Sequence, residues 1–185
     1  MHLVVGLGNP GRHYEDNRHN VGYMVVDALA RAVGASFKSK FSGEFGIAGE
    51  LAFLKPATFM NLSGESVQPA AAFLKVPLDN LIVIHDELDV PFADVRIKLG
   101  GGHAGHNGLR SIILRMGSPD FARVRVGIGR PPVDFKGDVA SYVLSGFASE
   151  ERKQLDDVIG RAADATNLIL KHGVLAAMNH ANRKG

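Results

Sequence analysis

The stretch Gly6-Leu7-Gly8-Asn9-Pro10-Gly11 most constrains what this chain can build. It follows the apolar run Leu3 to Val5, which reads as a strand. A strand emptying into a glycine-rich turn is a common place for a site, because backbone without a Cβ lets a ligand approach closely. Eight residues on from Gly11 stands His19, flanked by Arg18 and Asn20, just ahead of an amphipathic pattern.

That pattern runs from about residue 20 to residue 33, with Val21, Met24, Val25, Ala28, Leu29 and Ala32 at helical spacing and Gly34 as a stop. Residues 35–43 are polar and small and read as a loop. Residues 44–50 and 51–55 read as a hairpin turning near Gly49. A helix is expected from Ser63 to about Lys75, or from a later start at Ser66, because Pro69 is tolerated only near a first turn. The continuous apolar run at 80–85 predicts a central strand covered on both faces, ending at His85-Asp86-Glu87. Strands at 94–99 and 122–128 flank a glycine-rich segment at 100–108 and a helix to about Met116. Residues 129–141, with Pro131-Pro132, read as a surface loop, and helices at 149–171 and 174–182 close the chain. Interleaved strands and helices imply one three-layer α/β/α domain over residues 1–185, around a mixed, mostly parallel sheet.

Gly6-x-Gly8-x-x-Gly11 matches the dinucleotide fingerprint as a string, but its context does not. The helix opens about ten residues too late, and no acidic residue ends a second strand at the required distance. There is no Gly-x-Ser-x-Gly elbow and no cysteine. His85, His103 and His106 lack metal-ligand spacing, so no metal and no cofactor are expected. No apolar run approaches the roughly 20 residues of a membrane span, and the N-terminus lacks signal-peptide features, which predicts a cytoplasmic protein. The net charge is only +2, yet residues 91–137 carry +5, an excess that attracts polyphosphates.

His19, Asp86 and the amides Asn9, Asn61 and Asn107 all fall at strand ends or helix starts, which cluster at one crevice in open α/β folds. A His–Asp pair with several amides suits activating water and holding a carbonyl. By itself this supports a hydrolase, or a binding cleft with a histidine base. A non-catalytic RNA-binding protein and a nucleotide enzyme are the competing readings.

The blocks Gly6-Leu-Gly-Asn-Pro-Gly11, Arg18-His-Asn-Val-Gly22 and Leu54-Lys-Pro-Ala-Thr-Phe-Met-Asn-Leu-Ser-Gly64 resemble the bacterial peptidyl-tRNA hydrolases. So do His85-Asp-Glu-Leu-Asp89, Lys98 to Leu109, and Arg123-Val-Arg-Val-Gly-Ile-Gly129. The resemblance implies a monomeric, metal-free hydrolase. Its substrate is the ester joining an N-blocked peptide to the 3′-terminal ribose of tRNA. It implies His19 as the base, Asp86 as its orienting carboxylate, and Asn9 as the residue that distinguishes peptidyl from free aminoacyl groups. Tyr14, Phe59, Met60, Asn61 and Asn107 match positions at the CCA end or the peptide. Lys98 and Arg125 match a clamp on the acceptor-stem phosphate, and residues 100–108 match a glycine-rich gate. Ala104 departs from the glycine that many relatives carry, and the loop at 130–137 leaves open whether Arg130 or Lys136 extends the tRNA surface.

Overall fold

The computed structural model describes residues 1–182. Seven strands form one mixed sheet: β1 (His2–Gly6), β2 (Lys38–Lys40), β3 (Gly43–Ala48), β4 (Leu51–Pro56), β5 (Leu81–Glu87), β6 (Val95–Leu99) and β7 (Ala122–Gly127). Their order is β2-β3-β4-β1-β5-β7-β6. The central strands β4, β1, β5 and β7 run parallel to one another. The antiparallel pairings lie outside them, β2 with β3 and β3 with β4 at one side and β6 with β7 at the other.

Helices cover both faces. Those packed here are α1 (Val21–Ala32), α2 (Gly64–Leu74), α3 (Asn107–Met116), α5 (Ser149–His172) and α6 (Val174–Ala181), with α4 (Val139–Val143) short and peripheral. Alternation along β5 sorts the core. Ile82 and Ile84 pack with Val25, Val26, Val158 and Ala162 on the α1/α5 side. Leu81 and Val83 pack with Val67, Ala70, Leu109 and Ile112 on the α2/α3 side. Carrying the alternation on, Asp86 faces α1 and His85 faces α3.

Three local expectations are corrected. Residues 38–40, expected in a loop, form edge strand β2; Lys-Ser-Lys has no apolar alternation to betray it, and charged edges discourage pairing with another sheet. The other edge, β6, is closed by Asn182, whose side chain accepts from Ile97 N and donates to Ile97 O. Pro69 lies inside α2, which still runs unbroken from Gly64. Residues 139–141, expected in a loop, belong to α4, whose Asp138 side chain accepts from Ser141 N as an N-cap; five residues are too few to show a helical period.

The glycines of the opening motif serve packing as much as ligand access. A Cβ on Gly6 would lie 2.2 Å from Gly22 O, and one on Gly22 would lie 2.5 Å from Ile84 O. Only glycines let the start of α1 sit directly on the ends of β1 and β5. That contact brings the 3₁₀ turn Arg18–Asn20 over the end of β5, where Asp86 stands.

Candidate active site

A cleft of about 680 Å³ opens above the C-terminal ends of the central strands, where crevices form in open α/β sheets. Asn9, Tyr14, His19, Phe59, Met60, Asn61, Asp86 and Asn107 all line it. Eight of the ten residues singled out from the sequence therefore meet in one place. Among the described residues, no serine, threonine, lysine or cysteine lines this cleft.

His19 and Asp86 are both buried, with relative exposures of 8% and 3%. Nδ1 of His19 lies 2.9 and 2.8 Å from the two carboxylate oxygens. Nδ1 therefore carries the proton and donates it, leaving Nε2 bare toward the cleft. Burial pulls the imidazole pKa down, but the Asp86 charge and hydrogen bond outweigh burial and hold it above the usual histidine value. Burial would push the Asp86 carboxyl up; the His19 and His106 rings beside it reverse this and hold it far below the usual carboxylate range.

Sequence reasoning considered His106 only as a metal ligand and missed its place here. Its Nε2 donates to Asp86 Oδ1 at 2.8 Å. Its Nδ1 accepts from Gly108 N and Leu109 N at 3.1 and 3.3 Å, capping α3. Both nitrogens are committed, so of the two imidazoles on Asp86 only His19 keeps a free one. The only detectable signal was a histidine directly before Asn107 at a helix start. His103, by contrast, accepts from Gly105 N within its turn.

His19, Asp86 and His106 are close enough to be considered as metal ligands. Their nitrogens and oxygens, however, stand at 2.8–2.9 Å, hydrogen-bond spacing. A tetrahedral ion with bonds of about 2.0–2.1 Å holds its ligand atoms roughly 3.3 Å apart. The spacing is that of two imidazoles hydrogen-bonded to one carboxylate, closer than ligands around an ion would stand. His85 lies outside it, on the other face of β5.

Asn9 is fixed at both ends. Its N–H donates to Asn20 Oδ1 at 2.8 Å, and Asn20 Nδ2 donates back to Asn9 O at 2.9 Å. Asn9 Oδ1 accepts from Met60 N at 3.0 Å, which leaves Nδ2 as the group Asn9 can offer a carbonyl in the cleft. Asn20, unassigned from the sequence, thus orients the amide. Phe59, 66% exposed, stands at the rim, and Asn61 and Asn107 are exposed beside it.

Lys98 and Arg125 do not line the cleft. Pairing of β6 with β7 sets Arg96 opposite Arg125 and Lys98 opposite Arg123, so four cations share one face of this ribbon. Three are engaged internally, Arg96 by an ion pair with Asp94 at 3.6 Å. Arg125 Nε donates to Glu87 Oε1 at 3.0 Å, and Glu87 lines the cleft. Buried Arg123 donates to the carbonyls of Gly101, Gly102 and Pro119, holding the base of the glycine-rich segment. Lys98 extends along Gly101 and has no ion pair among the described residues. In the loop at 130–137, Arg130 is paired with Asp89.

The sequence model of the family described as Peptidyl-tRNA hydrolase matches residues 3–185. The chain belongs to the peptidyl-tRNA hydrolase family. It is 57% identical to a peptidyl-tRNA hydrolase of Sorangium cellulosum (strain So ce56), over all of this chain and 85% of the relative. It is 49% identical to that of Anaeromyxobacter dehalogenans (strain 2CP-C), over 100% and 97% of the two chains. Among solved structures, the peptidyl-tRNA hydrolase from Acinetobacter baumannii superposes with a TM-score of 0.89 at 39% identity, covering 98% of this chain and 94% of that one. The peptidyl-tRNA hydrolase fold is therefore shared over 98% of this chain, the strand ends that carry His19 and Asp86 included.

The strand that carries Asp86 also predicts an acid sensitivity. His85 is fully buried; its Nδ1 donates to Asp86 O at 2.8 Å, and its Nε2 has no partner. Burial, helped by the neighbouring His106 ring, pushes its pKa down to about 3 from 6.5. The unfolded chain takes up this proton near pH 6.5 and the folded one does not, so folding stability falls as pH drops through that window. His85→Gln removes up to about 1.4 kcal/mol per pH unit of that dependence. Urea melts of both proteins at pH 6 and pH 4 measure it. Equal pH slopes would show that His85 is not buried neutral.

Proposed function

We propose that this protein hydrolyses the ester between a peptide and the 3′-terminal ribose of tRNA, with His19 as the base that activates water. The observation that carries this reading is the bare Nε2 of an imidazole whose Nδ1–H is held by a buried carboxylate, in a cleft lined by no described serine, threonine, lysine or cysteine. An ester is more reactive than an amide, so a base and a carbonyl-polarising amide suffice. Water sits at Nε2, its proton passes to His19, and the oxygen attacks the ester carbonyl. Asp86 stabilises the imidazolium as it forms. The proton then leaves with the ribose oxygen, releasing peptide acid and free tRNA.

Asn9 Nδ2 donates to the carbonyl oxygen of the peptide bond next to the ester, a group that an unblocked aminoacyl ester lacks. Asn61, Asn107, Tyr14 and Phe59 receive the terminal nucleotide and the start of the peptide at the rim. Lys98 and Arg125 grip the acceptor-stem phosphate, a contact that is independent of tRNA sequence and weakened by salt. In this reading the protein is a monomer acting where tRNA is used, in the cytoplasm. No helix among the described residues is long and apolar enough to cross a membrane.

The test compares N-acetylaminoacyl-tRNA with unblocked aminoacyl-tRNA. Cleavage of the first with sparing of the second is the expected result; cleavage of neither, or of both alike, refutes the reading. For the clamp, Lys98→Ala raises KM for whole tRNA, leaves kcat nearly unchanged, and lowers the slope of log affinity against log salt by about one. A CCA-peptide mimic is unaffected. Arg125→Ala does less, because Glu87 already occupies that guanidinium. An unchanged KM for tRNA in the Lys98 variant at low salt would remove Lys98 from the interface.

A further inference from the structure

Arg18 stands beside the base in sequence yet points away from the cleft, and it has more partners than any other side chain near His19. Its Nη1 donates to Ser145 Oγ and, at 3.4 Å, to Tyr142 O. Its Nη2 pairs with Glu151 Oε1 at 2.9 Å, and the same oxygen accepts from Ala148 N at the start of α5. The guanidinium carbon lies 4.0 Å from the centre of the Tyr142 ring and 5.8 Å from that of Phe147. The backbone reinforces the contact: Arg18 N donates to Ser145 O at 3.0 Å, and Asn17 bridges Gly146. Arg18 is 6% exposed, and its Nε is buried without a partner.

Tyr142 lies in α4, Ser145, Gly146 and Phe147 follow it directly, and Glu151 stands in the first turn of α5. The opposite side of α4 faces the cleft, where Val139, Ala140, Val143 and Leu144 form an apolar wall across from His19. One buried guanidinium therefore ties the turn that carries the base to the wall that bounds the space for the acyl group.

We propose that Arg18 is a positioning residue that docks the 139–144 wall onto the His19 turn, and that this wall recognises apolar side chains of the peptide beyond its esterified residue. The inference rests on the hydrolase reading above and adds a specificity determinant to it. A lone acetylated amino acid is too short to use the wall; a tetrapeptide with valine and leucine side chains reaches it. Arginine is required because its planar fork stacks on Tyr142 while donating to several oxygens. Lysine keeps a charge for Glu151 but neither stacks nor forks.

The experiment measures KM, kcat and Tm for Arg18→Gln, Arg18→Lys and Ser145→Ala. Its two substrates are N-acetylglycyl-tRNA and an N-acetylated Val-Leu-Val-Leu tetrapeptidyl-tRNA. Arg18→Gln raises KM for the tetrapeptide about tenfold, the scale on which an apolar pocket discriminates, and less than about twofold for acetylglycine. Arg18→Lys recovers only part of this. The acidic limb of the pH–rate profile stays in place in both, because Asp86 still holds His19. If Arg18→Gln does not fold, Ser145→Ala, which removes one anchor at a half-buried position, shows the same split at smaller size. Equal losses on the two substrates, tracking a fall in Tm, would make Arg18 a purely structural residue and overturn the proposal. So would an absent split in Ser145→Ala. Wild-type protein that cleaves neither substrate would instead defeat the hydrolase reading itself.

Discussion

His19→Ala lowers kcat on peptidyl-tRNA by about 10²–10⁴, the range supplied by a positioned general base, while tRNA binding persists. No neighbouring group replaces the lost nitrogen. His106 is adjacent but spends Nε2 on Asp86 and Nδ1 on the first amides of α3. The cationic face of the β6–β7 ribbon does not touch His19, so the Kd for deacylated tRNA moves by less than about twofold. Single-turnover assays and a binding titration separate the two quantities. Retention of wild-type kcat would leave the cleft without its assigned base; loss of tRNA binding would show that His19 anchors the substrate rather than activating water.

Asp86→Asn produces a loss of similar size for a different reason. The carboxylate accepts from two imidazoles at once. In an asparagine one of these oxygens becomes an NH₂ group. His106 cannot change tautomer without surrendering the cap of α3, so it keeps the oxygen at the Oδ1 position. That oxygen is also 2.9 Å from His19 Nδ1, but the NH₂ group takes the Oδ2 position at 2.8 Å and the negative charge is gone, which favours a bare Nδ1 and a protonated Nε2. That is the wrong tautomer for a base, and kcat falls by about 10²–10⁴ with little change in KM. Adding His106→Asn to Asp86→Asn frees the amide to turn, and so recovers part of the lost rate if this competition is the cause. A double variant slower than Asp86→Asn would contradict it.

The sites that could be read from the sequence were those whose partners are set by the ends of regular elements. Asp86 closes a strand with the four-residue apolar core Leu81 to Ile84, and His19 stands just before an amphipathic helix, so the fold type alone places both at one crevice. The roles of His106, Asn20 and Arg18 could not be read in this way. Each depends on a partner that only tertiary packing supplies: Asp86 for His106, the backbone of Asn9 for Asn20, and the α4 segment for Arg18. Likewise, charge counting does not display the pairing of Arg125 with Glu87 on the neighbouring strand. The glycine string was visible, but its principal reason was not. It reflects backbone-to-backbone contact between Gly6 and Gly22, which no local pattern displays.

The pH dependence of kcat/KM on N-acetylaminoacyl-tRNA tests the His19–Asp86 mechanism most directly. In the wild-type protein the carboxylate holds His19 above its ordinary value of 6.5, so activity falls on the acidic side with a midpoint above that pH. In Asp86→Asn the negative charge is gone while the burial that depresses the imidazole remains, and the midpoint moves to lower pH. A midpoint that stays where it was, with kcat near the wild-type value, would mean that Asp86 does not act on the base and that His19 does not activate water as described.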